Sequence, residues 1–178
     1  MGYLHLYCGE GKGKTTAAAG LALRMAGAGK RAVFVRFLKN DDSGEVRALG
    51  LLPGVEVLPC KKCFGFTWQM TPQQKSEARL LYGAFLRDGF AEANRLIREG
   101  ERFVLLVLDE ACAALEAGLL DPEELLRFLD QRPPELEVAV TGRRPPDSLW
   151  ERADYITEMK NIRHPFDRGI GAREGIEY

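Results

Sequence analysis

The residues best suited to chemistry lie near the start of the chain, at positions 8–16. They read Cys-Gly-Glu-Gly-Lys-Gly-Lys-Thr-Thr. Glycines let the backbone curl so that successive N–H groups point at an anion, and a following helix N-terminus adds partial positive charge. Lys14 supplies a full charge, and the Thr15 hydroxyl is placed to reach a magnesium ion. The stretch therefore predicts a binding loop for a triphosphate.

The match to the usual phosphate-loop pattern, G-x-x-x-x-G-K-[ST], is imperfect at its first glycine. Counting five residues back from Gly13 gives Cys8, and Gly9 comes one position late. A strand over 3–7 and a helix over 15–28 nevertheless supply the strand, turn and helix order that such a loop requires. This order favours a nucleotide loop over a glycine-rich turn that only caps a strand. The predicted ATP-binding residues in the loop are Gly9, Glu10, Gly11, Lys12, Gly13, Lys14, Thr15 and Thr16.

Two carboxylates, Asp109 and Glu110, directly follow the most apolar strand, over 102–108. A carboxylate in that position can hold magnesium, directly or through water, opposite Thr15. The alternative is that these acids cap the following helix. Glu110 could instead activate a water or a hydroxyl, or contact a ribose, and the sequence leaves these roles open.

Two further cations could help to neutralise a triphosphate. Lys12 is a second lysine in the loop, and Arg143 follows a later strand that ends at Thr141-Gly142. Arg143 either joins the anion site or is a solvated arginine beside Arg144.

Aromatic residues and cysteines form two weaker patterns. Phe64, Phe66 and Trp68 are spaced at i, i+2 and i+4, which favours a strand face turned to the core, with a flat hydrophobic ligand as the alternative. The C-x-x-C formed by Cys60 and Cys63 lacks the second ligand pair that a structural zinc site needs, because the other two cysteines belong to other elements. We therefore expect free thiols.

Strands and helices alternate along the chain, which predicts an α/β fold of the P-loop NTPase class with a mostly parallel sheet flanked by helices. Ligands of such sheets bind beyond the carboxyl ends of the strands, and all the polar stretches above lie there. A long helix is predicted from Thr71-Pro72 to about Glu99, bent or weakened by Gly83 and Gly89. The length of 178 residues fits a single domain, 1–178.

The composition narrows the possible partners. With a net charge of −1 and acids interleaved with bases, nothing indicates nucleic-acid binding or an acidic membrane. No apolar run approaches the ~20 residues of a membrane-spanning helix, and no secretory signal precedes the first strand. We expect a cytoplasmic protein with reduced cysteines.

Taken together, these stretches resemble the P-loop, RecA-like type of ATP:corrinoid adenosyltransferase, which acts on cob(I)alamin or cob(I)yrinic acid a,c-diamide in cobalamin biosynthesis or salvage. The match runs along the whole chain, and its tail pattern is foreign to generic P-loop ATPases. The matching residues are 9–16, Arg24, 43–45, 65–68, 107–110, 141–143, 153–154, Glu158, 164–167, Gly169, 172–173 and 175–178. The family often has threonine at Cys8 and glutamine at Arg36, and some members carry an N-terminal extension over the active site.

The resemblance implies that Co(I) of a reduced corrinoid attacks the ribose C5′ of ATP and that triphosphate leaves. No protein nucleophile is needed, because the corrinoid carries the difficult chemistry. Lys12, Lys14 and Arg143 would then stabilise the leaving group. Arg24 is implied as a further nucleotide contact. Thr15, Asp109 and Glu110 would hold Mg²⁺ or Mn²⁺.

The resemblance also changes the interpretation of the aromatic residues. It implies that Phe66 and Trp68 press on the lower face of the corrinoid and exclude its axial ligand, which makes Co(II) easier to reduce. The electron would come from an external reductase such as a reduced flavoprotein, and the protein would be a homodimer. The alternatives are a P-loop kinase or ATPase that uses Glu110, and a non-catalytic carrier of a corrinoid or nucleotide. The particular corrinoid stays open.

Overall fold

The computed structural model describes residues 1–39, 43–60, 62, 64–65 and 67–176. Within these ranges six strands form one sheet in the order β3-β2-β4-β5-β1-β6, and every neighbouring pair is parallel. The strands are β1 (Leu4–Cys8), β2 (Arg31–Arg36), β3 (Val55–Val57), β4 (Val104–Asp109), β5 (Leu136–Thr141) and β6 (Tyr155–Glu158). The predicted parallel α/β fold is confirmed.

Helices cover both faces of the sheet. They are α1 (Lys14–Gly27), α2 (Gly44–Leu49), α3 (Pro72–Arg98), α4 (Ala111–Glu116), α5 (Pro122–Asp130) and α6 (Asp147–Trp150), with 3₁₀ turns at Thr67–Gln69 and Pro165–Arg168. In the described ranges none of these helices has both the length and the apolar character needed to cross a membrane.

The central strands are apolar because both of their faces are covered. All six residues of β4 and all six of β5 are buried. One face packs against α3, α4 and α5 in the larger core cluster. The other packs against α1, whose Ala18, Ala19 and Ala22 let the helix lie close to the sheet. Near-continuous apolar strands are the pattern expected for a parallel sheet of this kind.

Strand order brings the predicted polar stretches together. β5 lies between β1 and β4, so the carboxyl ends of these three strands are adjacent. The loop after Cys8, the Asp109-Glu110 pair and the Thr141–Arg143 stretch therefore share one edge of the sheet, as predicted.

Helix α3 begins as the sequence predicts and runs through both of its glycines. The Thr71 side chain accepts from the N–H of Gln74, the Gln74 side chain accepts from the N–H of Thr71, and Pro72 occupies the first turn. Gly89 does not interrupt the helix but is buried against β2. A Cβ there would lie 2.7 Å from Cγ2 of Val35, so the absence of a side chain allows the close packing.

We predict that Gly89→Ala destabilises the protein although alanine is the better helix former. The added methyl group would overpack a buried site and lower the free energy of unfolding by about 1–3 kcal/mol. Gly20→Ala is the matched control, because a Cβ at that exposed position of α1 meets nothing within 4 Å; it should stabilise by up to about 1 kcal/mol. Urea denaturation followed by circular dichroism measures both. A Gly89→Ala variant as stable as the wild type would contradict the packing argument.

Candidate active site

The loop between β1 and α1 forms one wall of a cavity of about 350 Å³. Gly13 adopts a left-handed conformation with φ of 104°, and α1 begins directly after it at Lys14. The cavity is lined by Glu10, Gly11, Lys12, Gly13, Lys14, Thr15, Thr16, Lys39, Glu45, Glu110, Arg143, His164, Ala172 and Ile176. Most of the predicted nucleotide residues thus come together here, along with part of the C-terminal tail.

Lys14 is held across the loop by its own backbone. Its Nζ donates hydrogen bonds to the carbonyl oxygens of Gly9 at 2.7 Å and Gly11 at 2.6 Å. Burial lowers the pKa of Lys14, while the nearby Glu110 carboxylate acts in the opposite direction. An ammonium has three N–H donors, so these bonds fix its position and leave one donor for an anion.

The loop glycines allow the chain that follows β6 to pack directly against the loop. The Gly11 N–H donates to the carbonyl oxygen of Met159 at 2.6 Å, and the Met159 N–H donates to Cys8 at 2.8 Å. A Cβ would lie 2.5 Å from the Met159 oxygen if placed on Gly9, and 2.7 Å if placed on Gly11. These contacts account for glycine at both positions.

At the first position of the motif, where the usual pattern has glycine, Cys8 contributes its side chain to the core. Cys8 is the last residue of β1, and its side chain is buried in the core cluster. Burial raises the pKa of the Cys8 thiol, and it raises the pKa of Cys112 to about 12. Both side chains therefore behave as small apolar groups.

We predict that Gly11→Ala destabilises the protein by about 1–3 kcal/mol, because the new methyl group meets rigid backbone atoms of residues 159 and 160. Urea unfolding measures the change. Gly171→Ala, in the C-terminal tail, is the control, since a Cβ there meets nothing within 4 Å. Equal stability of the two variants would show that the tail does not rest on the loop.

The two strand-end carboxylates occupy different places. Asp109 is completely buried and accepts a hydrogen bond from the Thr141 hydroxyl at 2.8 Å. Its second oxygen lies 3.9 Å from Nε of Arg36 and has no hydrogen-bond partner among the described residues. Burial raises the pKa of Asp109, and the charge of Lys39 opposes that change. Asp109 thus lies behind the cavity wall.

Glu110 instead reaches the cavity. It precedes α4 in a left-handed conformation with φ of 61°, and its side chain makes no capping hydrogen bond to that helix. Its Oε1 lies 3.3 Å from Nζ of Lys39. The geometry therefore favours a ligand role for Glu110 over the capping alternative.

Two residues of this site, Arg36 and Lys39, were not predicted from the sequence as site residues. Arg36 is buried and pairs in register with Asp109 across β2 and β4. Lys39 Nζ donates to the Thr15 hydroxyl at 3.4 Å. Their position in the sequence could have indicated them. Polar residues at the end of β2 lie at the same edge of a parallel sheet as those that follow β4.

The oxygen atoms at this edge suit a magnesium ion that also binds phosphate. Magnesium prefers hard oxygen ligands, and in nucleotide sites it takes only one or two carboxylates from the protein. The Thr15 hydroxyl and the Glu110 carboxylate converge on a cation, the Lys39 ammonium. The described part of the chain contains no cluster of three or more His, Cys, Asp or Glu side chains that could hold a metal. A metal at this site would therefore complete its coordination with water or with phosphate oxygens.

Arg143 also lines the cavity. Its guanidinium lies 3.4 Å from Glu10, and Arg144 contacts both Glu10 at 3.2 Å and Glu116 at 3.1 Å. Such exposed pairs contribute little to stability. Arg143 can therefore turn toward a bound anion at small cost, whereas Arg144 does not line the cavity.

Two predicted ligand residues lie away from the cavity. Arg24 is in the last turn of α1, about 15 Å along the helix axis from Lys14. Its charge acts on the Tyr7 hydroxyl, where it opposes the rise in the pKa of Tyr7 that burial causes. Trp68 lies in the 3₁₀ turn before α3 and is 74% exposed. Their roles as ligand contacts remain predictions.

The interpretation of the aromatic triplet as one strand face turned to the core is wrong. Phe64 does pack against the core, with its ring 6.3 Å from that of Tyr82. Trp68 instead faces solvent, in a turn and not in a strand. Phe66 and Cys63 lie outside the described residues, while Cys60 is a buried thiol.

Comparison with known sequences identifies the family. The profile of the ATP:corrinoid adenosyltransferase BtuR/CobO/CobP family matches residues 1–178. The chain belongs to this family. A corrinoid adenosyltransferase of Escherichia coli (strain K12) is 34% identical over 99% of this chain and 86% of the relative. One of Pseudomonas aeruginosa is 33% identical over 99% and 84%, and the corrinoid adenosyltransferase CobA of Salmonella typhimurium is 32% identical over 99% and 86%. The family resemblance predicted from the motifs is confirmed.

Solved structures support the P-loop fold of this adenosyltransferase. ATPases 2 and 3 of EssC from Geobacillus thermodenitrificans superpose with a TM-score of 0.54 at 15% identity, over 98% of this chain and 35% of that one. The ADP form of the Aeropyrum pernix ORC2 protein gives 0.50 at 14% identity, over 92% and 43%. At such low identity the likeness concerns the fold alone.

Proposed function

We propose that this adenosyltransferase transfers the 5′-deoxyadenosyl group of ATP to Co(I) of a reduced corrinoid and releases triphosphate. The observation that carries the proposal is the cavity itself. Three lysines and an arginine converge there on the N-terminus of α1, namely Lys12, Lys14, Lys39 and Arg143. Three glutamates, Glu10, Glu45 and Glu110, also line the cavity, so it is the placement of the cations around the loop that suits a highly charged leaving group.

In the proposed reaction the C5′–O bond of ATP breaks and a cobalt–carbon bond forms. The electron pair comes from Co(I), which becomes Co(III), and the pair from the broken bond leaves with the triphosphate oxygen. The protein has to align cobalt, carbon and leaving oxygen and to neutralise the departing charge. Lys14 is already held for the second task by the loop carbonyls.

We propose that Mg²⁺ or Mn²⁺ binds beside Thr15 and Glu110, with phosphate oxygens completing its coordination. The metal would supply further neutralisation of the triphosphate. Asp109 would act from behind the wall through water or through its neighbours, because its carboxylate is buried and bonded to Thr141.

We assign the corrinoid to the aromatic segment before α3, with Phe66 and Trp68 against its lower face. The exposure of Trp68 supports this, since a large aromatic ring that is 74% exposed is available to a flat hydrophobic ligand. We further propose that the electron for Co(II) comes from an external reductase such as a reduced flavoprotein. The protein would act as a homodimer in the cytoplasm. Arg24 would contact the nucleotide, and residues 1–178 would form one catalytic domain.

The decisive assay incubates the protein with ATP, Mg²⁺ and a corrinoid under a strong reductant. We expect a light-sensitive alkyl-cobalt product and triphosphate in equal amounts. Lys14→Met should lower the rate by roughly 100-fold or more, through loss of a charge aimed at the leaving group. ADP and phosphate without alkyl-cobalt would instead support a kinase or ATPase that uses Glu110. Tight corrinoid binding without turnover would support a carrier.

We predict that Trp68→Ala slows adenosylation that starts from the Co(II) corrinoid by about 3- to 10-fold, through loss of aromatic contact with the ring. ATP affinity, measured by calorimetry, should be unchanged. Trp150→Ala is the matched control, because it removes the other tryptophan, a surface residue of α6. Equal rates for the two variants would remove Trp68 from the corrinoid site.

A further inference from the structure

The side chain of Lys39 occupies the position expected for the divalent cation. Its Nζ lies 3.3 Å from Oε1 of Glu110 and 3.4 Å from Oγ1 of Thr15, which are two of the three residues proposed to hold the metal. Lys39 also lines the cavity. An ammonium and a magnesium ion compete for the same type of oxygen ligand, so this contact bears directly on metal binding.

The backbone fixes Lys39 at this place. The Phe37 N–H donates to the carbonyl oxygen of Asp109 at 3.0 Å, and the Phe37 side chain is buried in the core. Leu38 then takes a left-handed conformation with φ of 63°, which is unfavourable for a branched non-glycine residue. Strained backbone of this kind persists where the surroundings impose it and is concentrated at functional sites.

Each of the two strand-end carboxylates has a cation of the protein beside it. Asp109 and Glu110 provide two carboxylates, and Arg36 and Lys39 provide two cations at 3.9 Å and 3.3 Å from them. Arg36 is buried behind Asp109, whereas the side chain of Lys39 is 42% exposed and can move. A divalent cation bound to Oε1 of Glu110 and Oγ1 of Thr15 would strongly repel an ammonium that contacts the same two atoms. The two cannot occupy the position together.

We propose that the Lys39 ammonium occupies the divalent-cation position in the nucleotide-free protein and is displaced when the metal binds with ATP. This inference rests on the proposed metal site. Its consequence is weak binding of free metal, because the metal must first displace a resident cation. The displaced ammonium remains at the cavity wall, where it can contact the triphosphate.

The test measures Mn²⁺ binding to the nucleotide-free protein by electron paramagnetic resonance of the free ion. Lys39→Met should bind Mn²⁺ about 3- to 10-fold more tightly than the wild type, as expected for loss of one competing, partly exposed ion pair. Lys39→Arg should bind as weakly as the wild type, since it keeps the charge. Lys62→Met is the matched control, because it removes another lysine–glutamate pair, Lys62 with Glu77 at 2.5 Å, outside the cavity. The gain in Mn²⁺ affinity should disappear in the double variant Lys39→Met/Glu110→Gln.

Two results would overturn the proposal in distinguishable ways. If Lys39→Met binds Mn²⁺ no more tightly than the wild type while Glu110→Gln weakens binding, the metal site stands and the competition is refuted. If no variant binds Mn²⁺, both the competition and the nucleotide-free metal site are refuted. Adenosyl transfer is scored separately, by the alkyl-cobalt product, so neither result decides it.

Discussion

The fully buried carboxylate of Asp109 sets the arrangement of the active site. A buried charge is costly unless neighbouring groups compensate for it. Here the Thr141 hydroxyl donates to Asp109 and accepts from the Glu110 N–H, which links the ends of β4 and β5. Arg36 approaches from β2 on the other side. Three adjacent strands are thereby tied together at the edge where the phosphate loop opens.

Around this buried group the protein separates two kinds of positive charge. Arg36 is buried beside Asp109, where it opposes the charge of that carboxylate. Lys12, Lys39 and Arg143 line the cavity, where their side chains can rearrange around a ligand. The chain as a whole is almost neutral, with a net charge of −1. Its capacity to bind a highly charged anion is therefore a property of position and not of composition.

The sequence predicts the sheet, the loop and the Asp109-Glu110 pair because each follows from a local pattern. It does not predict the place of Lys39, which depends on the pairing of β2 with β4 and on the left-handed conformation of Leu38. It misjudges the aromatic triplet for a similar reason. The i, i+2, i+4 spacing of Phe64, Phe66 and Trp68 suggests one surface, but with the 3₁₀ turn at Thr67–Gln69 the rings of Phe64 and Trp68 lie in different environments. The periodicity of apolar residues does not predict which strands pair or where the backbone is irregular.

The contact between the Gly11 N–H and the Met159 carbonyl makes the phosphate loop a two-part structure. One part is the familiar turn before α1. The other is the chain that leaves β6 and continues into the tail, whose His164, Ala172 and Ile176 line the same cavity. The loop of another P-loop protein therefore could not simply be grafted onto this scaffold. A loop with side chains at positions 9 and 11 would collide with Met159, so the loop and the C-terminal tail can change only together during evolution.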